Sequence, residues 1–281
     1  IDSSETGQFS HPQWWIDELK RCYPHQWREI LQTANSHPPM TLRVNCRHVG
    51  VAEYLKRLEE SAIVARHLED NALILDRPCP VTSIPGFSTG DVSVQDRGAQ
   101  RAAGLLDVCQ GMKVLDACAA PGGKTGHILE RTECELTAMD ISSERVKRIA
   151  ENMARLGLQA DIRVGDSMNP REFVKSGTLF DRILLDAQCT ASGVVRRHPD
   201  IRWLRRESDV ASFARTQAGM LEALWPLLRR DGKLLYTTCS VFPAENAMQI
   251  DAFLARHAEA SPLPVGDIED GQILPDADTD G

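Results

Sequence analysis

The stretch Val114–Thr125, VLDACAAPGGKT, constrains the fold of this chain more than any other feature. An apolar run that ends in an acid and then breaks into Ala-Ala-Pro-Gly-Gly is typical of a strand, a tight loop and a helix start. The glycines let the backbone approach a ligand closely, and the helix N-terminus can hold an anion. The stretch therefore predicts a ligand-binding turn, with a plain strand-to-helix connection as the alternative.

The turn departs from the two phosphate-binding patterns that it most resembles. A P-loop needs a glycine where this chain has Cys118. The dinucleotide fingerprint needs three spaced glycines, and only the adjacent Gly122 and Gly123 are present. S-adenosylmethionine (SAM) has a carboxylate and no phosphate, so it agrees better with a close-approaching loop followed by a helix N-terminus.

Strand and helix patterns alternate after this turn and just before it. Strands are predicted at Lys113–Cys118, Glu135–Ile141, Asp161–Val164, Phe180–Ala187 and Gly232–Thr238. Helices are predicted at Arg97–Cys109, Lys124–Thr132, Ser143–Leu156, Val210–Leu228 and Ala244–His257. This alternation predicts an α/β fold with a mostly parallel sheet covered on both faces.

The N-terminal region has a different pattern. Helical spacing over residues 11–37, a strand at Thr41–Asn45, a helix at Val51–Leu58 and a strand at Leu73–Leu75 predict a small α+β module. A stretch rich in Pro, Gly, Ser and Thr, Pro78–Gly90, is the predicted linker. We therefore expect an N-terminal module with its linker at 1–90, a larger domain at 91–260 and an acidic, disordered tail at 261–281.

Charge and cysteine content exclude several classes of protein. The eight cysteines form no CxxC pair, which argues against a zinc site or a disulfide framework and favours a reducing, cytoplasmic setting. No apolar run reaches membrane-spanning length, so we expect no membrane segment. Because the cysteines lack metal-ligand spacing, we also expect no bound metal. The net charge of −8 becomes −2 without the six acids of the tail, so local patches decide which partners bind.

One basic patch is conspicuous, RRHPDIRWLRR at residues 196–206. Its arginines can neutralise phosphates while Trp203 offers a stacking face, which favours RNA as a partner. The alternative is a solvated helix start with Trp203 packed inward. The candidate RNA-binding residues are Arg196, Arg197, His198, Arg202, Arg205 and Arg206.

Polar residues end each predicted strand of the parallel sheet, where ligands bind in such folds. The first strand ends near Asp116, the second at Asp140 and the third at Gly165-Asp166. The last two end in Asp186-Ala187-Gln188-Cys189 and Thr237-Thr238-Cys239-Ser240. Asp140 is placed to accept hydrogen bonds from a ribose diol, and Asp166 from an adenine amine.

Two cysteines beside an acid agree with one SAM-dependent reaction. Buried cysteine is common and usually inert, which is the alternative for either one alone. Carbon 5 of cytosine is too poor a nucleophile to take a methyl group directly. A thiolate that adds at carbon 6 turns the ring into an enamine that can take it.

Several motifs together resemble the NOL1/NOP2/Sun family of RNA cytosine-5 methyltransferases, and within it the bacterial Sun/Fmu-type enzymes that methylate small-subunit ribosomal RNA. They are CAAPGGKTGHIL, AMDIS, GDS, ILLDAQC, GVVRRHPDIRWLRR and YTTCSVFPAEN. The resemblance extends from His11-Pro12-x-Trp14 through PPMTLRVN and VQD to the last predicted helix. It implies a Rossmann-like methyltransferase sheet with a smaller N-terminal RNA-binding module.

The resemblance also implies roles for individual residues. Cys239 is similar to the nucleophile that attacks carbon 6, and Cys189 to the cysteine that assists product release. Asp186 would hydrogen-bond the cytosine near N3, and Lys124 would lie close to the base. The residues implied to hold SAM are Cys118, Ala119, Ala120, Pro121, Gly122, Gly123, Lys124, Asp140, Asp166 and Asp186.

The implied activity is transfer of a methyl group from SAM to a cytosine of 16S ribosomal RNA through a covalent cysteine–cytosine adduct. We expect the chain to be a monomer. Three departures from the family pattern leave alternatives open. Gln188 stands where the family has proline, and the sequence as given includes neither the all-helical domain that related enzymes carry ahead of this region nor the final aromatic-rich strand of the family. One alternative is a catalytically silent RNA-binding or ribosome-assembly protein. The other is a SAM-dependent methyltransferase of another substrate class.

Overall fold

The helices and strands are those of a computed structural model, which describes residues 4–266, 268 and 271–281 of the 281-residue chain. The helices are α1 (Glu5–Phe9), α2 (Gln13–Cys22), α3 (Trp27–Thr33), α4 (Val51–Glu60), α5 (Arg97–Leu106), α6 (Gly123–Arg131), α7 (Ser143–Leu156), α8 (Ile201–Leu204), α9 (Glu207–Leu224) and α10 (Ala247–Leu254). The strands are β1 (Met40–Val44), β2 (Ala65–His67), β3 (Ala72–Leu75), β4 (Val92–Val94), β5 (Lys113–Asp116), β6 (Glu135–Asp140), β7 (Asp161–Val164), β8 (Phe180–Asp186) and β9 (Leu228–Thr237). Short 3-10 turns lie at Val81–Ser83, Pro170–Glu172, Trp225–Leu227 and Pro243–Glu245.

The larger sheet has five strands in the order β7-β6-β5-β8-β9. β5 pairs in parallel with both β6 and β8, and β6 pairs in parallel with β7. The middle of the sheet is apolar on both faces, because Val114, Leu115, Ile183 and Leu184 are all fully buried. The predicted α/β class is confirmed, and the predicted bounds of β7 and α7 match the structure.

A second sheet has four antiparallel strands in the order β2-β3-β1-β4. The predicted α+β character of the N-terminal region is therefore confirmed. Its two edge strands, β2 and β4, were absent from the sequence-based expectation because three residues are too short to show an alternating pattern. β4 extends the sheet beyond the predicted linker.

Arg43 of β1 joins the four-stranded sheet to α6. Its guanidinium is fully buried and makes a bidentate ion pair with Glu130, with N–O distances of 2.8 and 2.7 Å. It also donates to the carbonyl of Gly123, the first residue of α6, at 2.9 Å. A buried charge is tolerated only when it is paired and hydrogen-bonded, so this contact fixes β1 against both ends of α6.

The chain folds into two compact units. One comprises Ile1–Pro38, Ala187–Glu222 and Thr237–Gly281, and the other comprises Pro39–Asp186 and Ala223–Tyr236. In the first unit, Trp15 of α2 packs against Phe242, and the Tyr23 hydroxyl donates to the carbonyl of Val241 at 2.7 Å. The N-terminal helices therefore form one core with the segment that follows Cys239.

The end of the chain makes specific contacts inside the first unit, although the sequence predicts a disordered tail there. Asp280 is buried and pairs with Arg196 at 2.5 Å and with Arg197. The N–H of Gly281 lies 3.4 Å from the carbonyl of Gly193, to which it donates. Across the part of the chain that the structure describes, none of the helices is both long and apolar enough to cross a bilayer.

Candidate functional site

The loop between β5 and α6 lies at the carboxyl end of the parallel sheet, in the second unit. The N–H of Ala119 donates to the carbonyl of Met139 at 2.7 Å, which ties the loop to β6. Gly122 has a φ of +95°, and a Cβ there would lie 3.3 Å from the backbone of Ile149. Glycine is thus required by the turn and by the close packing of α7. No side chain caps α6, so its first N–H groups remain available to an anion.

Asp140 and Asp166 occupy the predicted places after β6 and β7. One Asp140 oxygen accepts a hydrogen bond from the N–H of Ala120 at 3.3 Å, and the other accepts from Ser142 at 3.1 Å. Asp140 thereby holds the loop as well as ending its strand. Asp166 accepts from the N–H of Met168 at 2.9 Å and remains half-buried.

Asp116 at the end of β5 is fully buried; the sequence analysis named it as a polar strand end but not among the residues that hold SAM. One carboxyl oxygen accepts from the Thr125 hydroxyl at 2.7 Å, while no donor from the described residues reaches the other. Burial raises the pKa of Asp116 to about 7, and the nearby Asp186 and Asp140 charges act in the same direction. An unsatisfied buried acceptor beside the loop agrees with a ligand that carries a hydrogen-bond donor.

We expect Asp116→Asn to remove a pH-dependent loss of stability. Between pH 3.8 and about 7 the folded chain keeps a proton that the unfolded chain has lost, so the free energy of unfolding falls as pH rises. The non-titrating variant should therefore gain about 3 kcal/mol on the wild type between pH 5 and pH 8 in urea unfolding. Thr125→Val removes a donor that lowers this pKa, so the fall in the free energy of unfolding should extend to higher pH than in wild type. Equal pH slopes for wild type and Asp116→Asn would contradict the prediction.

Lys124 and Asp186 form an ion pair in the second unit, with Nζ 2.6 Å from Oδ2. Lys124 lies in the first turn of α6, and Asp186 ends β8. Both side chains are partly exposed, at 18% and 34%. The structure thus brings together two of the predicted catalytic residues.

The two predicted catalytic cysteines meet in the first unit. They follow the neighbouring strands β8 and β9, and their Sγ atoms lie 3.4 Å apart without forming a disulfide bond. Cys189 is buried and Cys239 is half-buried. The hydrogen bond to Cys239, burial, and the negative charges of Cys239 and Glu245 raise the pKa of Cys189 well above its usual range. Cys189 therefore holds its proton, and Cys239 is the more accessible nucleophile.

Cys118 is a third cysteine among the predicted site residues and lies in the loop after β5. Its Sγ lies 3.5 Å from the Ser167 hydroxyl, and burial raises its pKa to about 12. At neutral pH it is a thiol, which agrees with a place in the loop wall rather than in covalent chemistry. Among the described residues no three or more His, Cys, Asp and Glu side chains are grouped so that they could hold a metal ion.

The predicted RNA-binding residues do not form one exposed patch, because some of them are buried. Arg196 and Arg202 are buried, because Arg196 neutralises Asp280 and Arg202 donates to the carbonyls of Ser10 and Ala34. Arg205 donates to the carbonyl of Thr190 at 3.1 Å. Arg197 pairs with Asp280 but remains partly exposed, and His198 and Arg206 are exposed. Trp203 is 57% exposed rather than packed inward.

Two family models match most of the chain. A model described as 16S rRNA methyltransferase RsmB/F matches residues 103–276. A second, described as the ferredoxin-like domain of RsmF/B-like methyltransferases, matches residues 11–82. Its name agrees with the antiparallel order of the four-stranded sheet.

Curated relatives and a solved structure agree with this match. Ribosomal RNA small subunit methyltransferase B of Serratia proteamaculans is 47% identical over 94% of this chain and 62% of that protein. Its namesake in Vibrio cholerae is 47% identical over 97% of this chain and 64% of that protein, so the chain spans less than two thirds of either relative. A methyltransferase homologue of Pyrococcus horikoshii is 28% identical with a TM-score of 0.77, over 89% of this chain and 80% of that one. The chain therefore belongs to the 16S rRNA methyltransferase RsmB/F family.

Proposed function

We propose that this chain transfers a methyl group from SAM to carbon 5 of a cytosine in small-subunit ribosomal RNA, as a cytoplasmic monomer and through a covalent adduct with Cys239. The observation that carries the proposal is the 3.4 Å approach of the sulfurs of Cys189 and Cys239, which form no disulfide bond. A second thiol in contact with the nucleophile is placed to serve a reaction that must both attach a base and release it. The names of the relatives supply the class of RNA.

The second unit has the features that a SAM site needs. The uncapped N-terminus of α6 would hold the carboxylate, and the buried free oxygen of Asp116 would accept from the ammonium group. Asp140 would take the ribose hydroxyls and Asp166 the adenine amine, with the loop 118–123 as the wall. Bound there, SAM supplies an electrophilic methyl group.

The protein's own residues carry the remaining chemistry. The Cys239 thiolate adds to carbon 6 of the cytosine, and the ring electrons move towards N3 and O2. Asp186 in its acid form donates a hydrogen bond to N3 and so stabilises the negative charge that develops there. Lys124, whose Nζ lies 2.6 Å from Asp186 Oδ2, fixes the orientation of that carboxyl group. Carbon 5 then has enamine character and can take the methyl group.

Release of the product requires a base for the proton on carbon 5. Cys189 keeps its proton before the adduct forms, because the hydrogen bond to Cys239 and burial raise the pKa of Cys189. Once the Cys239 sulfur is bonded to carbon 6, it no longer carries a negative charge beside Cys189, and Cys189 can release its own proton to solvent. The Cys189 thiolate can then remove the carbon-5 proton, after which the bond from carbon 6 to sulfur breaks.

RNA contacts are proposed for the exposed part of the segment 196–206. His198 and Arg206 would meet phosphates, and the exposed Trp203 indole would stack on an unpaired base. Arg197 and Arg205 are partly exposed and add positive charge at the same surface. The target cytosine must leave any base stack to reach the thiols, which favours a loop or unassembled RNA.

The test is transfer of a labelled methyl group from SAM to unmodified 16S ribosomal RNA, followed by digestion to nucleosides. Label in 5-methylcytidine is the expected result. RNA binding without label would instead support a silent assembly protein. Label on a protein or a small molecule, with none on RNA, would support a methyltransferase of another substrate class.

A further inference from the structure

Glu245 is a buried carboxylate that joins the two cysteine loops of the first unit. It is fully buried in the 3-10 turn that follows the Cys239 segment. One oxygen accepts from the N–H of Thr190 at 2.9 Å and from the Gln217 amide at 3.1 Å. The other accepts from the hydroxyls of Thr190 and Ser240, both at 2.5 Å. Thr190 directly follows Cys189, and Ser240 directly follows Cys239.

The next residue, Asn246, holds the Cys239 loop from its other side. Its amide nitrogen donates to the carbonyl of Ser240 at 2.7 Å, and its amide oxygen accepts from the Thr238 hydroxyl at 2.5 Å. The residues on both sides of Cys239 are therefore fixed by one dipeptide. The loops also contact each other directly, because the N–H of Gly193 donates to the carbonyl of Cys239 at 2.9 Å.

We propose that Glu245 is a positioning residue that sets the separation of the Cys189 and Cys239 sulfurs by holding Thr190 and Ser240 on one carboxylate. The value of this for catalysis rests on the proposed function, but the effect on the sulfurs does not. A carboxylate has two oxygens with several acceptor sites, so it can satisfy three donors from the two loops and a fourth from α9 at once. Charge-assisted hydrogen bonds of this kind are short and resist displacement.

The Glu245 side chain contributes both its length and its negative charge, and two substitutions distinguish these contributions. Glu245→Asp keeps the charge but lacks one methylene, so it cannot span both loops. Glu245→Gln keeps the reach: its carbonyl still accepts from the Thr190 N–H, and its amide can donate to the two hydroxyls, which rotate to accept. If Glu245 acts by holding the two loops together, Glu245→Gln should keep the wild-type separation of the two sulfurs and Glu245→Asp should not.

The separation of the two sulfurs can be measured on the free protein with dibromobimane, which becomes fluorescent when it bridges two nearby thiols. We expect Glu245→Asp and Glu245→Ala to lower the initial rate of bridging at least about tenfold, and Glu245→Gln to stay within about threefold of wild type. Cys189→Ser gives the background from the other cysteines. Glu130→Gln, which weakens the buried pair with Arg43, is the control for general destabilisation and should bridge at the wild-type rate.

Activity gives a second reading that a merely structural role would not produce. If the chain transfers methyl groups, Glu245→Asp should lower kcat about tenfold or more while KM for SAM stays within about threefold. The proposal would be overturned if Glu245→Asp bridged at the wild-type rate. It would also be overturned if Glu245→Gln lost rapid bridging while Glu245→Asp kept it. A chain without any transfer activity would remove the proposed function and leave the bridging result to decide the role of Glu245.

Discussion

Cys239→Ala is expected to lower methyl transfer to RNA by at least about a thousandfold, because it removes the thiol that we propose forms the bond to carbon 6. Its half-buried sulfur is 3.4 Å from Cys189, whose proton supplies a hydrogen bond to the thiolate. The residues that we propose for SAM binding belong to the other compact unit, so the affinity for SAM should change less than about threefold, under ~1 kcal/mol. Transfer is measured with labelled SAM and binding by calorimetry.

Two comparisons make this result specific to the nucleophile. Cys109→Ala removes an exposed cysteine and should leave transfer unchanged. Burial raises the pKa of the Cys118 thiol to about 12. We expect Cys118→Ala to lower the affinity for SAM more than it lowers the rate of methyl transfer at saturating SAM. Transfer that persists in Cys239→Ala would show that methylation proceeds without the adduct. A collapse of SAM affinity in that variant would move Cys239 into the cofactor site.

The sheet and the residues at its strand ends could be predicted from the sequence for a physical reason. Parallel strands end at one edge, so polar residues after successive apolar runs must gather there. That rule placed Asp140 after β6 and predicted that Cys189 and Cys239 would meet, which the structure confirms. The ion pair of Lys124 and Asp186 follows the same rule, since both lie at this edge.

What the sequence did not reveal depends on partners far away along the chain. Arg43 looks like the polar face of a strand, but its partner Glu130 lies 87 residues later. Arg196 looks like part of a basic surface, but Asp280, 84 residues later, neutralises it inside the protein. Glu245 gave only a weak signal, an acid shortly after Thr-Cys-Ser, and its role depends on a hydrogen bond to Thr190. Periodicity describes the faces of one element and cannot identify such pairs.

Cys189→Ala is expected to accumulate a covalent complex between protein and RNA. Adduct formation needs Cys239, whereas release needs a base for the carbon-5 proton, and Cys189 is the group that contacts Cys239 at 3.4 Å. Formation should therefore outrun release, and a slowly migrating band should survive denaturing electrophoresis after incubation with RNA and SAM. We expect at least about tenfold more of this species than in wild type, with multiple turnover correspondingly lost.

The double variant Cys189→Ala with Cys239→Ala is the control that assigns the band, because it lacks the proposed attachment point and should form none. Cys189→Ser tests whether a weaker acid in the same place can act. Since a serine hydroxyl is far less readily ionised than a thiol, this variant should also trap the adduct. Rapid release in Cys189→Ser would show that a hydrogen-bonding group suffices, and that the ionised thiol of Cys189 is not the base. A band that persists in the double variant would place the covalent bond elsewhere in the chain and overturn both cysteine assignments.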